Sequence, residues 1–227
     1  MNRKSFTLAN LANKCNVLMD RFRGLDFLSV IEPEEVGLDS KFVVHSSPSG
    51  DKYLKNLLTD LKIGSQDAII DIGCGKGSAM RTMLEFPFAK VDGIELSDHI
   101  AAIARQNFKR LNAGRTTIFT GDATKFEGYD AYNLIYLYNP FPAIIMADVM
   151  KALFQSVQRS DRELVIIYNN ATCNDLVVAG GIFEKMYAYP DKWDNLITIY
   201  SNRKYANSRL SLNKPVHHIP EKSIAAI

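Results

Sequence analysis

The chain has 227 residues, 47% of them apolar and 23% charged. That is enough for one hydrophobic core burying roughly 70% of the unfolded surface, without disulfides or a structural metal. Lysine and arginine number 27 against 25 acidic residues, a net charge of +2, which excludes a disordered chain and a polybasic nucleic-acid module.

Cys15, Cys74 and Cys173 are an odd number of cysteines at wide separations. They suit neither a disulfide framework nor paired zinc ligands, and a reducing, cytoplasmic setting is expected. Asn10, Asn13, Lys14 and Asn16 interrupt the first apolar run before a signal-peptide core could form. The most membrane-like stretch, Leu134 to Met150, contains Asn139, Pro140, Pro142 and Asp148, so no membrane-spanning helix is expected there.

Leu8, Leu11, Ala12, Cys15, Leu18, Met19 and Phe22 recur at helical spacing, with Thr7 to cap the helix and Gly24 to end it. Its basic face, with Lys14, Arg21 and Arg23, can meet an acidic surface, but the simpler expectation is a solvated polar face and an apolar face packed on the domain. From Asp26 to Gly50 the composition turns to that of a loop, a mobile or lid-like stretch. Tyr53, Leu54, Leu57, Leu58 and Leu61 then mark a second helix, with Asp51 near its start and Gly64 at its stop.

Beyond it strands and helices alternate. Strand Ala68–Ile72 precedes helix Ser78–Phe86; strand Val91–Leu96 precedes helix Asp98–Leu111, capped by Ser97. Strands Thr117–Thr120 and Leu134–Tyr138, a helix around Ala143–Val157 and strand Leu164–Tyr168 follow. Helical crossovers of this length require parallel strands. Ile182–Tyr189 and Leu196–Tyr200, joined only by Pro190 to Asn195, instead suit an antiparallel hairpin. The expected class is α/β: a doubly wound, mostly parallel seven-stranded sheet with a C-terminal antiparallel hairpin and an N-terminal helical extension.

Asp71-Ile72-Gly73-Cys74-Gly75-Lys76-Gly77 lies where a buried strand hands over to a helix, a turn that lets backbone amides approach a ligand. A phosphate-binding loop would need glycine where Ile70 stands and Ser or Thr where Gly77 stands; a dinucleotide loop would want a smaller residue than Ser78. The string resembles the first motif of class I S-adenosylmethionine-dependent methyltransferases, an acid followed by three alternating glycines. Val91-Asp92-Gly93-Ile94-Glu95 is similar to that family's second strand, and Gly121-Asp122-Ala123 to its turn after strand three. Asn139-Pro140-Phe141-Pro142 stands where the family keeps its catalytic motif, and resembles the Asn-Pro-Pro-aromatic signature of amino-methyltransferases with its last two residues transposed.

The resemblance implies S-adenosyl-L-methionine as cofactor and S-adenosyl-L-homocysteine as product, with no metal. It implies a cofactor site of Asp71, Gly73, Cys74, Gly75, Gly77, Glu95, Leu96, Asp122, Ala123 and Asn139. In it Asp71 meets the methionine amino end, Glu95 takes the ribose hydroxyls and Asp122 takes the adenine amine. It also implies catalytic roles for Asn139, Pro140 and Phe141, through hydrogen bonds accepted from a target nitrogen and stacking on it. Cys74 is expected to be a small residue fitted into the turn, not a nucleophile. Residues 65–227 would be the cofactor-binding domain, and residues 1–64 helices and a lid-like loop packed on it.

The expected activity is methyl transfer to a small-molecule or protein acceptor, at nitrogen by the strand-four signature. Duplex nucleic acid is disfavoured for want of a basic stripe. Two alternatives stay open: a non-catalytic S-adenosylmethionine-binding scaffold, and a nicotinamide-dependent oxidoreductase. His45 is a candidate general base in the loop, although a lone loop histidine is more often incidental. Tyr136 and Tyr138 are expected to pack, and Asn169 or Asn170 to line a target pocket. His217 and His218 are expected at the surface and Trp193 over the hairpin turn.

Overall fold

The computed structural model describes residues 17–29, 49–192, 195–204, 207–212 and 216–218. Cys15, His45, Trp193 and most of the expected lid-like stretch lie outside the described residues. Residues 17–22 are helical and are labelled α1. The main elements that follow are α2 (Lys52–Asp60), β1 (Ala68–Ile72), α3 (Ser78–Met83), β2 (Lys90–Glu95), α4 (Asp98–Arg110) and β3 (Ile118–Thr120). After two 3-10 turns come β4 (Leu134–Tyr138), α5 (Ala143–Arg159), β5 (Val165–Asn169), α6 (Asn174–Val178), β6 (Glu184–Pro190) and β7 (Leu196–Ser201).

The seven strands form one sheet in the order β3-β2-β1-β4-β5-β7-β6. The first five pair in parallel, whereas β7 runs antiparallel to both β5 and β6. β7 therefore inserts between β5 and β6, and β6 again points the same way as β5. The carboxyl ends of β1, β2, β4, β5 and β6 consequently share one edge of the sheet, where the chain order reverses between β1 and β4; in doubly wound sheets ligands bind at such a reversal.

Both faces of the sheet are covered. One carries Leu54, Leu57 and Leu58 of α2, Met80 and Met83 of α3, and Ala104 and Phe108 of α4. The other carries Met146, Val149, Met150 and Leu153 of α5, with Tyr129 and Phe183. This two-sided burial explains why β1, β4 and β5 read as continuous apolar runs and not as alternating ones. The caps are local: Asp51 accepts the Tyr53 N–H at 3.0 Å, and Ser97 caps α4 through Ile100. Lys62, not Gly64, takes the left-handed conformation after α2, at φ 48°.

α1 departs from the periodicity reading. Its expected apolar face is turned outward, with Leu18 64%, Met19 52% and Phe22 95% exposed, whereas Asp20 is 5% exposed. Asp20 is drawn in by Arg81 of α3, whose guanidinium lies 3.1 and 3.3 Å from its two oxygens. The docking is instead done by Leu25 and Phe27, both in the core. No helix among the described residues is long and apolar enough to cross a membrane.

Candidate functional site

The turn after β1 brings the glycines together in strained backbone. Gly73, Gly75 and Gly77 all have positive φ, at 75°, 55° and 88°. At Gly73 a side chain is excluded twice over, because a Cβ there would also lie 2.8 Å from Pro140 Cβ. The glycine turn and the strand-four motif are thus in direct contact. The turn is anchored by Gly73 and Cys74 N–H groups donating to Ile94 O at 2.9 and 3.1 Å.

Glu95, at the end of β2, is the centre of the arrangement. Its Oε2 accepts the Gly75 N–H and its Oε1 the Ser97 N–H, each at 3.0 Å. Burial raises its carboxyl above the ordinary value in spite of those backbone donors. Each oxygen keeps a second lone pair, so two vicinal hydroxyls can still be accepted. Beside it Leu96 leaves an apolar side chain 44% exposed.

Asp71 is 3% exposed and has no hydrogen-bond partner among the described residues. Burial, then the charge of Glu95, push its carboxyl up to about 8. An unpartnered buried carboxyl beside another acid is a place for a cation. Cys74 is buried, with its thiol pushed well up by burial and by Asp71 and Glu95, so it is not a reactive thiolate. It packs over Gly93, where a Cβ would stand 2.6 Å from its Sγ.

Asp122 caps the 3-10 turn Ala123–Lys125, accepting Thr124 N–H at 2.9 Å and Thr124 Oγ1–H at 2.7 Å. Burial raises its pKa, but the Thr124 and Lys125 contacts outweigh this and hold it below the usual value. Ala123 is buried behind it. Asn139 follows β4 with φ 40°, and its Oδ1 accepts the Thr172 hydroxyl at 2.6 Å. Asn170, after the neighbouring strand, is left-handed as well, at φ 52°. Pro140 and Phe141 are part-exposed at the same rim.

Three features had no signal in the sequence reading. Lys76, between two of the glycines, is 3% exposed, and its Nζ pairs with Asp26 at 2.9 Å and with the Ser29 hydroxyl. Asn107 of α4 holds the same segment, accepting the Asp26 N–H at 2.8 Å and donating to Asp26 O at 2.9 Å and Lys76 O at 3.1 Å. Asp92, the other acid of β2, is structural, accepting Thr117 N–H and Tyr132 Oη–H at 2.7 Å each. The two terminal histidines divide: His217 Nδ1 lies 3.0 Å from Asp60, and His218 packs edge-on against Tyr187.

Residues 69–162 match the family described as a methyltransferase domain. Over that stretch, about two fifths of the chain, the sequence resembles a methyltransferase domain. No curated protein matches the chain by sequence. Among solved structures, a putative methyltransferase, yhhF, from Escherichia coli shares the methyltransferase fold at TM-score 0.57 and 17% identity, over 69% of this chain and 89% of that one. An RNA methyltransferase from Salinibacter ruber in complex with S-adenosyl-L-homocysteine aligns at TM-score 0.54 and 13% identity, over 69% of this chain and 94% of that one. A dimethyladenosine transferase from Plasmodium falciparum aligns at TM-score 0.51 and 15% identity, over 71% and 63%. The chain shares with these structures a mixed sheet in which β7 is reversed, and its glycine turn, Glu95, Asp122 and Asn139 stand at the ends of successive strands along one edge.

Proposed function

We propose that the chain transfers the methyl group of S-adenosyl-L-methionine to the nitrogen of a small-molecule or protein acceptor, in the crevice between the glycine turn and the β4 end. The observation that carries this is the contact of Glu95 with Gly75: one acid both shapes the turn and offers the free lone pairs that a ribose needs. When bound, the cofactor supplies an electrophilic methyl on a sulfonium, and transfer is an in-line displacement that depends mainly on positioning.

Each residue then has a task. Asp71, buried and unpartnered, receives the ammonium of the methionine end, which would draw its carboxyl back toward the ionised form. Leu96 lies against the base, and Asp122 takes the adenine amine on Oδ2, 3.4 Å from the exposed Lys125 Nζ, while Oδ1 holds Thr124. Asn139 Oδ1 accepts from the target nitrogen in exchange for Thr172, with Pro140 O beside it and the Phe141 ring as a wall. Residues 65–227 would be the catalytic domain, with residues 17–29 packed on it through Leu25, Phe27 and Asp26. The free, buried Cys74 fits a reducing cytoplasmic setting.

Calorimetry with S-adenosyl-L-homocysteine, NADH and ATP tests the reading. Binding of S-adenosyl-L-homocysteine alone is expected. Tighter binding of NADH would overturn it in favour of an oxidoreductase, and cofactor binding without transfer to any acceptor would leave a scaffold.

A further inference from the structure

Three polar atoms near the crevice are buried without a hydrogen-bond partner: Tyr136 Oη, Asn169 Oδ1 and Asp191 Oδ2. Their residues are 0%, 3% and 6% exposed. Two come from strands β4 and β5 and the third directly follows β6, but all share one face. Tyr136 of β4 pairs with Asp71 of β1, and Tyr138 with Asn169 of β5, so these side chains form successive rows of one sheet surface. Asn169 pairs with Ile197, which pairs with Tyr189 of β6, and Asp191 stands two residues further along. The antiparallel insertion of β7 is what returns the end of β6 to this edge.

The three groups lie within electrostatic reach of one another. Asn169 stands within side-chain hydrogen-bonding reach of both Tyr136 and Asp191, and Ser49 within reach of Tyr136, while the charge of Asp191 acts on Tyr136 and Tyr138; none of these approaches has the distance and angle that would satisfy the three orphan atoms. A buried acceptor left without a donor is costly, and groups awaiting a ligand recover that cost on binding. The surrounding rim is only partly buried: Ser49, Asp51, Tyr138 and Lys192. Lys192 Nζ lies 3.9 Å from Asp51 and over the Tyr138 ring, so Asp51 has a counter-charge nearby.

The geometry points to the Tyr136–Asn169–Asp191 cluster as the methyl-acceptor subsite, one that takes the amino head group of a small amine. The inference rests on the methyltransferase reading above and names its substrate class. Two of the three orphan atoms are pure acceptors and one belongs to a carboxylate, so the ligand must bring N–H donors and a positive charge. A carboxylate ligand would be repelled by Asp191 and Asp51. An alcohol brings a single donor and no charge.

In the step, the ammonium passes one proton to the Asp191 carboxylate. The freed nitrogen lone pair forms the bond to the methyl carbon, and the carbon–sulfur bond breaks with its electron pair going to sulfur. The methylated amine leaves as an ammonium, and Asp191 returns its proton to solvent. Burial first, and then the charge of Asp51, hold the Asp191 carboxyl above its ordinary value, which suits a group that must accept a proton.

The test uses the full chain, with binding read before activity. Calorimetry on protein saturated with S-adenosyl-L-homocysteine is run with ethylamine, ethanolamine and 1,4-diaminobutane, and with the matching alcohols and carboxylic acids. Labelled methyl transfer is then measured with the same panel. Saturable binding and labelling of amines only is expected. Asp191→Asn should raise the amine KM by about ten- to a hundredfold, and Tyr136→Phe by about five- to tenfold, with S-adenosyl-L-homocysteine affinity within about threefold of wild type. Tyr136→Phe also separates a binding role from a packing role, because removing an orphan hydroxyl should leave the thermal midpoint unchanged or higher while KM still rises.

Amines that neither bind nor accept label, on protein that does bind S-adenosyl-L-homocysteine, would overturn the subsite alone. So would alcohols or acids labelled in preference to amines, or an unchanged amine KM in folded Asp191→Asn and Tyr136→Phe. Wild-type protein that fails to bind S-adenosyl-L-homocysteine would overturn the cofactor reading, and the subsite with it.

Discussion

Glu95 Oε2 accepts the Gly75 N–H at 3.0 Å, so the acid ending β2 and the turn following β1 behave as one unit. Removing the carboxylate therefore does more than delete contacts to a ribose. It also frees two buried backbone donors, those of Gly75 and Ser97.

Glu95→Ala should weaken S-adenosyl-L-homocysteine binding by about a hundredfold, the upper end for losing charge-assisted hydrogen bonds, and lower the thermal midpoint as well. Glu95→Gln keeps an acceptor for one of the two N–H groups and should lose about tenfold in affinity with a smaller thermal change. Calorimetry and thermal melts on both variants check this. Equal effects of the two substitutions would mean that the loop contact carries no weight.

Asn139 combines a left-handed backbone with a side chain already engaged by Thr172. Asn139→Gly relaxes the backbone and removes only the side chain. It should leave S-adenosyl-L-homocysteine affinity within about threefold, yet lower turnover by about a hundred- to a thousandfold, the usual scale for one preorganised polar group at a reacting centre. Wild-type labelling by this variant would make the β4 motif structural.

Asp71 gives a pH signature. In the unfolded chain its carboxyl has the ordinary value of 3.8, whereas in the native protein it is held up at about 8. Between those values only the native state carries the proton. The stability it contributes is full below the lower value and is lost as pH rises through about 8. Urea midpoints should therefore fall across that window by more in the wild type than in Asp71→Asn, whose neutral amide copies the protonated acid. An ammonium bound at Asp71 reverses the preference, so S-adenosyl-L-homocysteine binding near neutral pH should release up to about one proton, seen as a buffer-dependent calorimetric enthalpy.

Lys76 is buried on Asp26 and Ser29, and Asp26 keeps part of its surface in water. Asp26→Ala leaves an ammonium in the protein interior with only a hydroxyl beside it, and should destabilise by about 3 kcal/mol. Lys76→Met, with a similar stem and no charge, should cost less than Asp26→Ala. Urea unfolding of both variants measures the difference, and the reverse order would show that the pair is solvated.

Much of this architecture is written locally. Short, mostly apolar runs bounded by turn residues, such as Ala68–Ile72 and Leu134–Tyr138, point to strands buried on both faces, and Asp51 and Ser97 announce the starts of α2 and α4. The glycine string and the polar residue at or just past each strand end are short-range signals too, which is why Asp71, Glu95, Asp122 and Asn139 stand out in the chain as candidates. α6 escaped because five residues are too few to show a period. The outward face of α1 escaped because periodicity identifies an apolar stripe without saying what lies opposite it, and Arg81 drew Asp20 inward instead.

What only the tertiary structure decided are the meetings between distant segments. Pro140 against Gly73, Lys76 under Asp26, and Tyr136, Asn169 and Asp191 on one face are separated in the chain by tens of residues. The last depends on β7 slipping between β5 and β6, a choice of strand order that no local pattern encodes. Side-chain periods specify which face a residue occupies on its own strand, while strand order and register set which residues from other strands share that face.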